Sequence, residues 1–337
     1  ARRGRRTRYP RATHRERTLP SLYVCGDMEA ARRLETDFIT WLGEDAVALF
    51  PPREFSPLGV VAQSGEIQAQ RLWVLDALLA ERPVLLVAPI ESVMGLCPSP
   101  GRLGRVLSVL RRGMRLEPHG LALRLVEAGY QRAPQVEHPG DFSLRGGIVD
   151  VFPPSVSDPF RFEFSDEAIA SIRSFSLSTQ KSFRDHLEAR LGPAREWVLD
   201  AGETTGLARA VRQAVNEAAK RLERLGRPEA AQRLQDKVLA DIEKMESGTF
   251  LEDADAYAPF LAGGPEAADG GSEAAAGRRH HLPLIFEYLP PGAAVFLDEP
   301  ARLEQAAKSL AVEHAERFAV LLESGGLLPD QATCGVG

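Results

Sequence analysis

Lysine is scarce in this 337-residue chain: there are five, at positions 181, 220, 237, 244 and 308, and none follows the glycines of a G-x-x-x-x-G-K-[ST] string. A nucleotide phosphate cradle needs that string, whose backbone N–H groups and lysine hold the phosphates. The hydrolytic patterns G-x-S-x-G and H-E-x-x-H are missing as well. Cys25, Cys97 and Cys334 stand far apart with no CxxC pair, so neither a zinc site of that type nor a disulfide framework is indicated. His280-His281 adjoins Arg278-Arg279 in a polar stretch, where neighbouring side chains point apart and make a poor metal pair. Glu252-Asp253 and Asp255 read as a solvated helix end, with no apolar pocket to raise a carboxyl pKa. No apolar run approaches the ~18 residues of a membrane span, and no apolar signal core follows the N-terminus. The expectation is a cytoplasmic chain with no membrane partner, no metal and no cofactor of its own.

Charge is present but uneven. Residues 1–20 hold eight arginines against Glu16 alone, in a chain whose net charge is −6, so the remainder is strongly acidic. An acidic body argues against broad DNA wrapping by the folded part. The basic start, residues 1–20, lacks apolar periodicity and reads as a disordered tail, with an electrostatic touch on nucleic acid as the other reading. A second short tail is expected over 331–337.

From residue 21 the pattern is α/β. Leu22–Cys25 is a short apolar run, and Asp27 is an N-cap for a helix to Leu42, with Met28, Ala31, Leu34, Phe38, Ile39 and Leu42 on one stripe and Gly43 as its stop. Ala46–Phe50 reads as a strand and 56–64 as a loop. Glu66–Leu79 reads as an amphipathic helix burying Ile67, Leu72, Leu75 and Leu79, and the continuously apolar Val84–Ala88 as a strand covered on both faces of a parallel sheet.

The rhythm changes after His119. Following a short helix, Phe142 and Leu144 alternate with Ser143 and Arg145, Ile148–Phe152 is a β run, and Phe160, Phe162 and Phe164 alternate with Arg161 and Glu163. Period-two alternation predicts an antiparallel sheet with one buried and one wet face. Residues 119–199 are therefore expected to form an α+β domain inserted between 21–118 and 200–330 of a parallel-sheet domain. The last part is expected to hold helices over 204–246 broken at Gly226-Arg227-Pro228, a linker at 263–280 and a closing helix over Ala301–Leu322.

Two features carry candidate chemistry. Ala293–Glu299 has the apolar run and terminal Asp298-Glu299 of a magnesium-holding strand, but without a phosphate cradle a strand-end carboxylate pair capping a helix is the commoner meaning. On the wet face of the inserted sheet, Arg145, Arg161 and Glu163 should project together, with Arg132 entering the same domain. Arginine forks suit carboxylate partners across an interface; a merely solvated face is the alternative.

Leu125–Arg132, Pro139–Pro153, Arg161–Glu167 and Ser171–Phe175 resemble the UvrB-interaction domain shared by UvrB and the transcription-repair coupling factor family, Mfd. Leu49–Glu54 with Glu66 and Arg71, and Ile285–Pro290, resemble the Mfd side. UvrB would carry a P-loop and a tyrosine-rich hairpin, whereas this chain has five tyrosines and no cluster. The resemblance spans residues 22–328. It implies a degenerate, P-loop-less RecA-like domain with the interaction domain inserted. It also implies recruitment of UvrA in transcription-coupled nucleotide excision repair. ATP, Mg²⁺, DNA and RNA polymerase are then expected to belong to translocase and polymerase-binding domains of the full-length family. The residues matching UvrA contacts are Arg132, Arg145, Arg161 and Glu163; Ser143 stands where UvrB has an arginine. If the polar face docks on UvrA, Phe152 and Pro153 are expected as its apolar rim. The rival expectation is a UvrB-like, DNA-dependent ATPase of the same pathway.

Overall fold

A computed structural model describes residues 19–53, 65–198, 201–247, 254–262 and 283–331. The basic start up to Thr18, the loop 56–64, the linker 263–280 with His281, Glu252-Asp253, and residues after Gln331 lie outside the described residues.

Strand β1 (Ser21–Cys25) leads into helix α1 (Met28–Leu42). Asp27 caps that helix by accepting the Ala30 N–H at 2.8 Å, and Gly43, at φ +95°, donates its N–H to the Ile39 carbonyl and stops it. Strand β2 (Val47–Leu49), helix α2 (Gly65–Leu79) and strand β3 (Leu85–Pro89) follow. With strand β12 (Ala294–Leu297) they form a parallel sheet in the order β12-β1-β3-β2. Every residue of β3 is buried, as its unbroken apolar run requires. Helix α2 departs from the expected amphipathic pattern. Leu72 and Leu75 are buried but Ile67 and Leu79 only partly, and the helix also buries Val74, Ala77, Leu78 and the charged Arg71 and Asp76. Its Arg71 and Asp76 are met by Glu196 and Arg190, from the stretch of chain that follows the antiparallel strands.

Short helices α3 (Ile90–Met94) and α4 (Pro100–Val106) lead to strand β4 (Ser108–Arg111), which pairs antiparallel with β11 (Glu188–Leu191) in a separate ribbon. Between them lie helix α5 (Pro118–Glu127) and the strands β5 (Gln131–Arg132), β6 (Asp141–Arg145), β7 (Ile148–Val151), β8 (Phe160–Ser165), β9 (Ala168–Phe175) and β10 (Ser182–His186). They form one six-stranded sheet in the order β10-β9-β8-β7-β6-β5, antiparallel except for β5 beside β6. Gly146, at φ +59°, and Gly147 close the β6–β7 hairpin, with Arg145 opposite Ile148. Phe142, Val149, Val151, Phe162 and Ile172 pack from one face of the sheet onto Leu121 and Leu125 of α5. Each such burial contributes roughly 1.5–3 kcal/mol.

Helix α6 (Ala201–Arg224) and helix α7 (Pro228–Glu246) fold back on each other at the expected break, where Gly226 takes φ +74°. Leu207, Val211, Val215, Ala218 and Leu222 are buried as their spacing predicts, but Leu225 stays exposed because the helix has ended before it. The described chain finishes with α8 (Ala258–Ala262) and, after β12, α9 (Pro300–Ser324). No helix among the described residues is long and apolar enough to cross a membrane.

Candidate protein-docking face

The face of the six-stranded sheet away from α5 carries two rows of side chains set by register. Ser143, Asp150, Arg161, Arg173 and Asp185 lie side by side from β6 to β10, and Arg145, Ile148, Glu163 and Ser171 form the next row. At the centre is Asp150, whose side chain is 1% exposed. It accepts from Arg145 Nη2 at 2.7 Å, and from Arg161 Nε and Nη2 at 2.7 and 2.8 Å. Arg161 gives Nη1 to the Gln180 carbonyl at 3.0 Å and lies 4.6 Å over the Phe175 ring. Its hydrogen bonds to Asp150 raise its pKa further, against the opposing effect of burial. The next ions along are looser. Ser171 Oγ donates to Glu163 at 2.6 Å, and Arg173 reaches Glu163 at 3.4 Å and Asp185 at 3.1 Å. This is a net of alternating charge, buried at the Asp150 end and wet at the Arg145, Glu163 and Arg173 end.

One edge of this face is covered. Phe152 and Phe175 pack with Val136, flanked by Val156 and Leu177, into a second small core. Phe152 is therefore buried, not an apolar rim; a period-two reading assigns the face but not the loops folded over it. Ser143 is buried too, its Oγ without a partner.

A second polar cluster lies where Arg190 and Glu196 meet α2. Arg71 donates Nε to Glu196 Oε1 at 2.5 Å, Nη2 to Glu196 Oε2 at 3.2 Å and Nη1 to the Pro51 carbonyl at 2.7 Å, and stacks 4.1 Å over Phe50. Arg53 adds a 2.7 Å contact to Glu196. Burial pushes the Glu196 carboxyl up, but the Arg53 and Arg71 charges and hydrogen bonds outweigh it and hold the pKa at about 2. Asp76 likewise takes Arg190 of β11 at 2.7 Å and Arg82 at 3.0 Å. The nearby Cys97 thiol is pushed up to about 11, chiefly by burial.

Residues 109–197 match the family described as the UvrB interaction domain. These residues form a UvrB interaction domain. Over 325 residues, 96% of its length, the chain is 28% identical to the transcription-repair-coupling factor of Bacillus subtilis strain 168. It is 33% identical over 181 residues, 53% of its length, to that of Haemophilus influenzae, and 30% identical over 167 residues, 50% of its length, to that of Staphylococcus aureus strain RF122. The chain spans about a quarter of the Bacillus relative, 26%, and its matches cover 16% and 14% of the other two.

The UvrB interaction domain brings Arg145, Arg161 and Glu163 onto one face, as their alternation predicts. It does not expose them equally. The Arg145 side chain is 50% exposed, whereas Arg161 is 15% exposed and held internally. Arg132 is exposed on β5, but its register partner is Phe142, so it belongs to the opposite side of the sheet from Arg145. Sequence reasoning named neither Asp150 nor Arg173 as a site residue. A lone carboxylate inside the apolar run Ile148–Phe152 was the available signal for the first. Asp298 and Glu299 stand at the end of the edge strand β12, where Glu299 pairs with Arg302 at 2.6 Å.

Proposed function

We propose that this chain is the UvrA-recruiting module of a transcription-repair-coupling factor, acting in transcription-coupled nucleotide excision repair in the cytoplasm. The open end of the UvrB interaction domain's polar face docks on a carboxylate-bearing surface of UvrA. Arg145 is the principal contact, and Glu163 and Arg173 complete an alternating charge pattern. The observation that carries this reading is Arg145 itself: a half-exposed guanidinium tethered by one hydrogen bond to a buried carboxylate, inside the domain that matches the family. Among the described residues its Nε and Nη1 donors make no hydrogen bond, which leaves a fork for a partner's carboxylate. In the same reading ATP, Mg²⁺, DNA and RNA polymerase are handled by parts of the full-length relatives outside the aligned quarter.

Calorimetric titration of the whole chain with purified UvrA tests this. Wild type should bind, and Arg145→Glu should weaken binding at least ~10-fold, a loss of about 1.4 kcal/mol, with an unchanged far-UV spectrum. No binding by wild type, or wild-type affinity in Arg145→Glu, refutes it.

A further inference from the structure

We infer that Arg161 and Asp150 are positioning residues that set the Arg145 guanidinium for its partner, and that Arg161 does not itself touch that partner. The inference rests on the docking reading above and departs from the direct contact that family resemblance implies for Arg161.

Arg161 has committed its donors inward. Nε and Nη2 hold the two oxygens of Asp150 as a fork, and Nη1 holds the Gln180 carbonyl. The guanidinium sits over the Phe175 ring, with the side chain 15% exposed. A fork of this kind fixes the plane of the carboxylate as well as its charge. Asp150 then offers one oriented oxygen to Arg145 Nη2 at 2.7 Å. Two guanidiniums on one carboxylate leave a single excess positive charge, and the exposed member of the group, Arg145, carries it outward. Fixing a long arginine side chain costs rotamer freedom. A side chain already held at its tip gives up less of that freedom on docking. Arg161 therefore acts through Asp150 on the conformation of Arg145.

Affinities for UvrA measured across the cycle wild type, Arg145→Ala, Arg161→Ala and the double variant separate this from direct contact. Arg145→Ala should weaken binding at least ~10-fold and Arg161→Ala ~3-fold or more. Once Arg145 is gone, Arg161→Ala should cost less than ~2-fold, because coupled residues are non-additive. Equal losses from Arg161→Ala in both backgrounds would mean that it contacts the partner, and no loss in either would mean that it positions nothing; both overturn the proposal. Arg161→Lys, which keeps the charge but not the fork, should fall between wild type and Arg161→Ala, and serves if the alanine variant fails to fold. A second readout needs no partner. The NMR signal of the Arg145 Nε–H should show restricted motion in wild type and free rotation in Arg161→Lys and Asp150→Asn. If that signal is restricted but wild type ignores UvrA, the docking reading fails and the positioning stands. If it moves freely in wild type, the positioning fails.

Discussion

Glu196 offers a test of the joint between helix α2 and the chain that follows β11, one that needs no partner protein. Glu196→Gln keeps the side-chain shape and removes the charge that Arg71 and Arg53 surround. The folded-state pKa is about 2 against an ordinary 4.5. At about 1.4 kcal/mol for each pH unit, that gap corresponds to about 3 kcal/mol of stability. Because the folded value is depressed, this contribution is fully present above about pH 4.5 and is lost as pH falls toward 2. A similar cost is expected from the structure directly, since removing one partner of a buried pair leaves uncompensated charge at roughly 3–5 kcal/mol. Urea unfolding followed by far-UV circular dichroism, at pH values between 7 and 2, provides the comparison. The variant should be about 3 kcal/mol less stable than wild type at pH 7, and the two should converge toward pH 2. Other carboxylates titrate in both proteins alike, so the difference isolates Glu196. A difference that stays constant with pH, or one below about 1 kcal/mol at neutrality, would refute the reasoning.

Other substitutions probe neighbouring joints. Tyr130→Phe removes the hydroxyl that donates to the Gly192 carbonyl at 2.7 Å between buried groups; it should cost about 1–2 kcal/mol in the same urea assay. Gly325→Ala places a methyl 2.1 Å from the Ala230 carbonyl oxygen at a backbone φ of +72°. It should lower stability by more than about 1 kcal/mol and increase proteolytic cutting at the α7–α9 contact.

Much of the architecture could be read along the chain because it is set locally. The Asp27 cap, the Gly43 stop, the Gly226-Arg227-Pro228 break and the alternation around Phe142 and Phe162 each follow from a few adjacent residues. What stayed hidden was made by distance. Arg71 and Glu196 are 125 positions apart, and nothing near either says that the other will neutralise it. Arg145 and Arg161 look equivalent in a period-two pattern, yet one stays wet and the other is closed over by Gln180 and Phe175. Phe152 was misplaced for the same reason, since the residues covering it, Val136 and Leu177, come from loops outside the alternating strands.

The ribbon of β4 and β11 has a mechanical consequence. The chain enters the six-stranded sheet through one strand and leaves through the other, and Ser108 faces Leu191 at the near end as Arg111 faces Glu188 at the far end. A tug on the sheet therefore travels down two covalent tethers at once and does not peel the ribbon's hydrogen bonds apart. The first weak links it reaches are the ion pairs at the root, Arg190 on Asp76 and Glu196 between Arg53 and Arg71. Load placed on the arginine-bearing face is thus delivered to helix α2 and the parallel sheet behind it, while the sheet that receives the load keeps its shape.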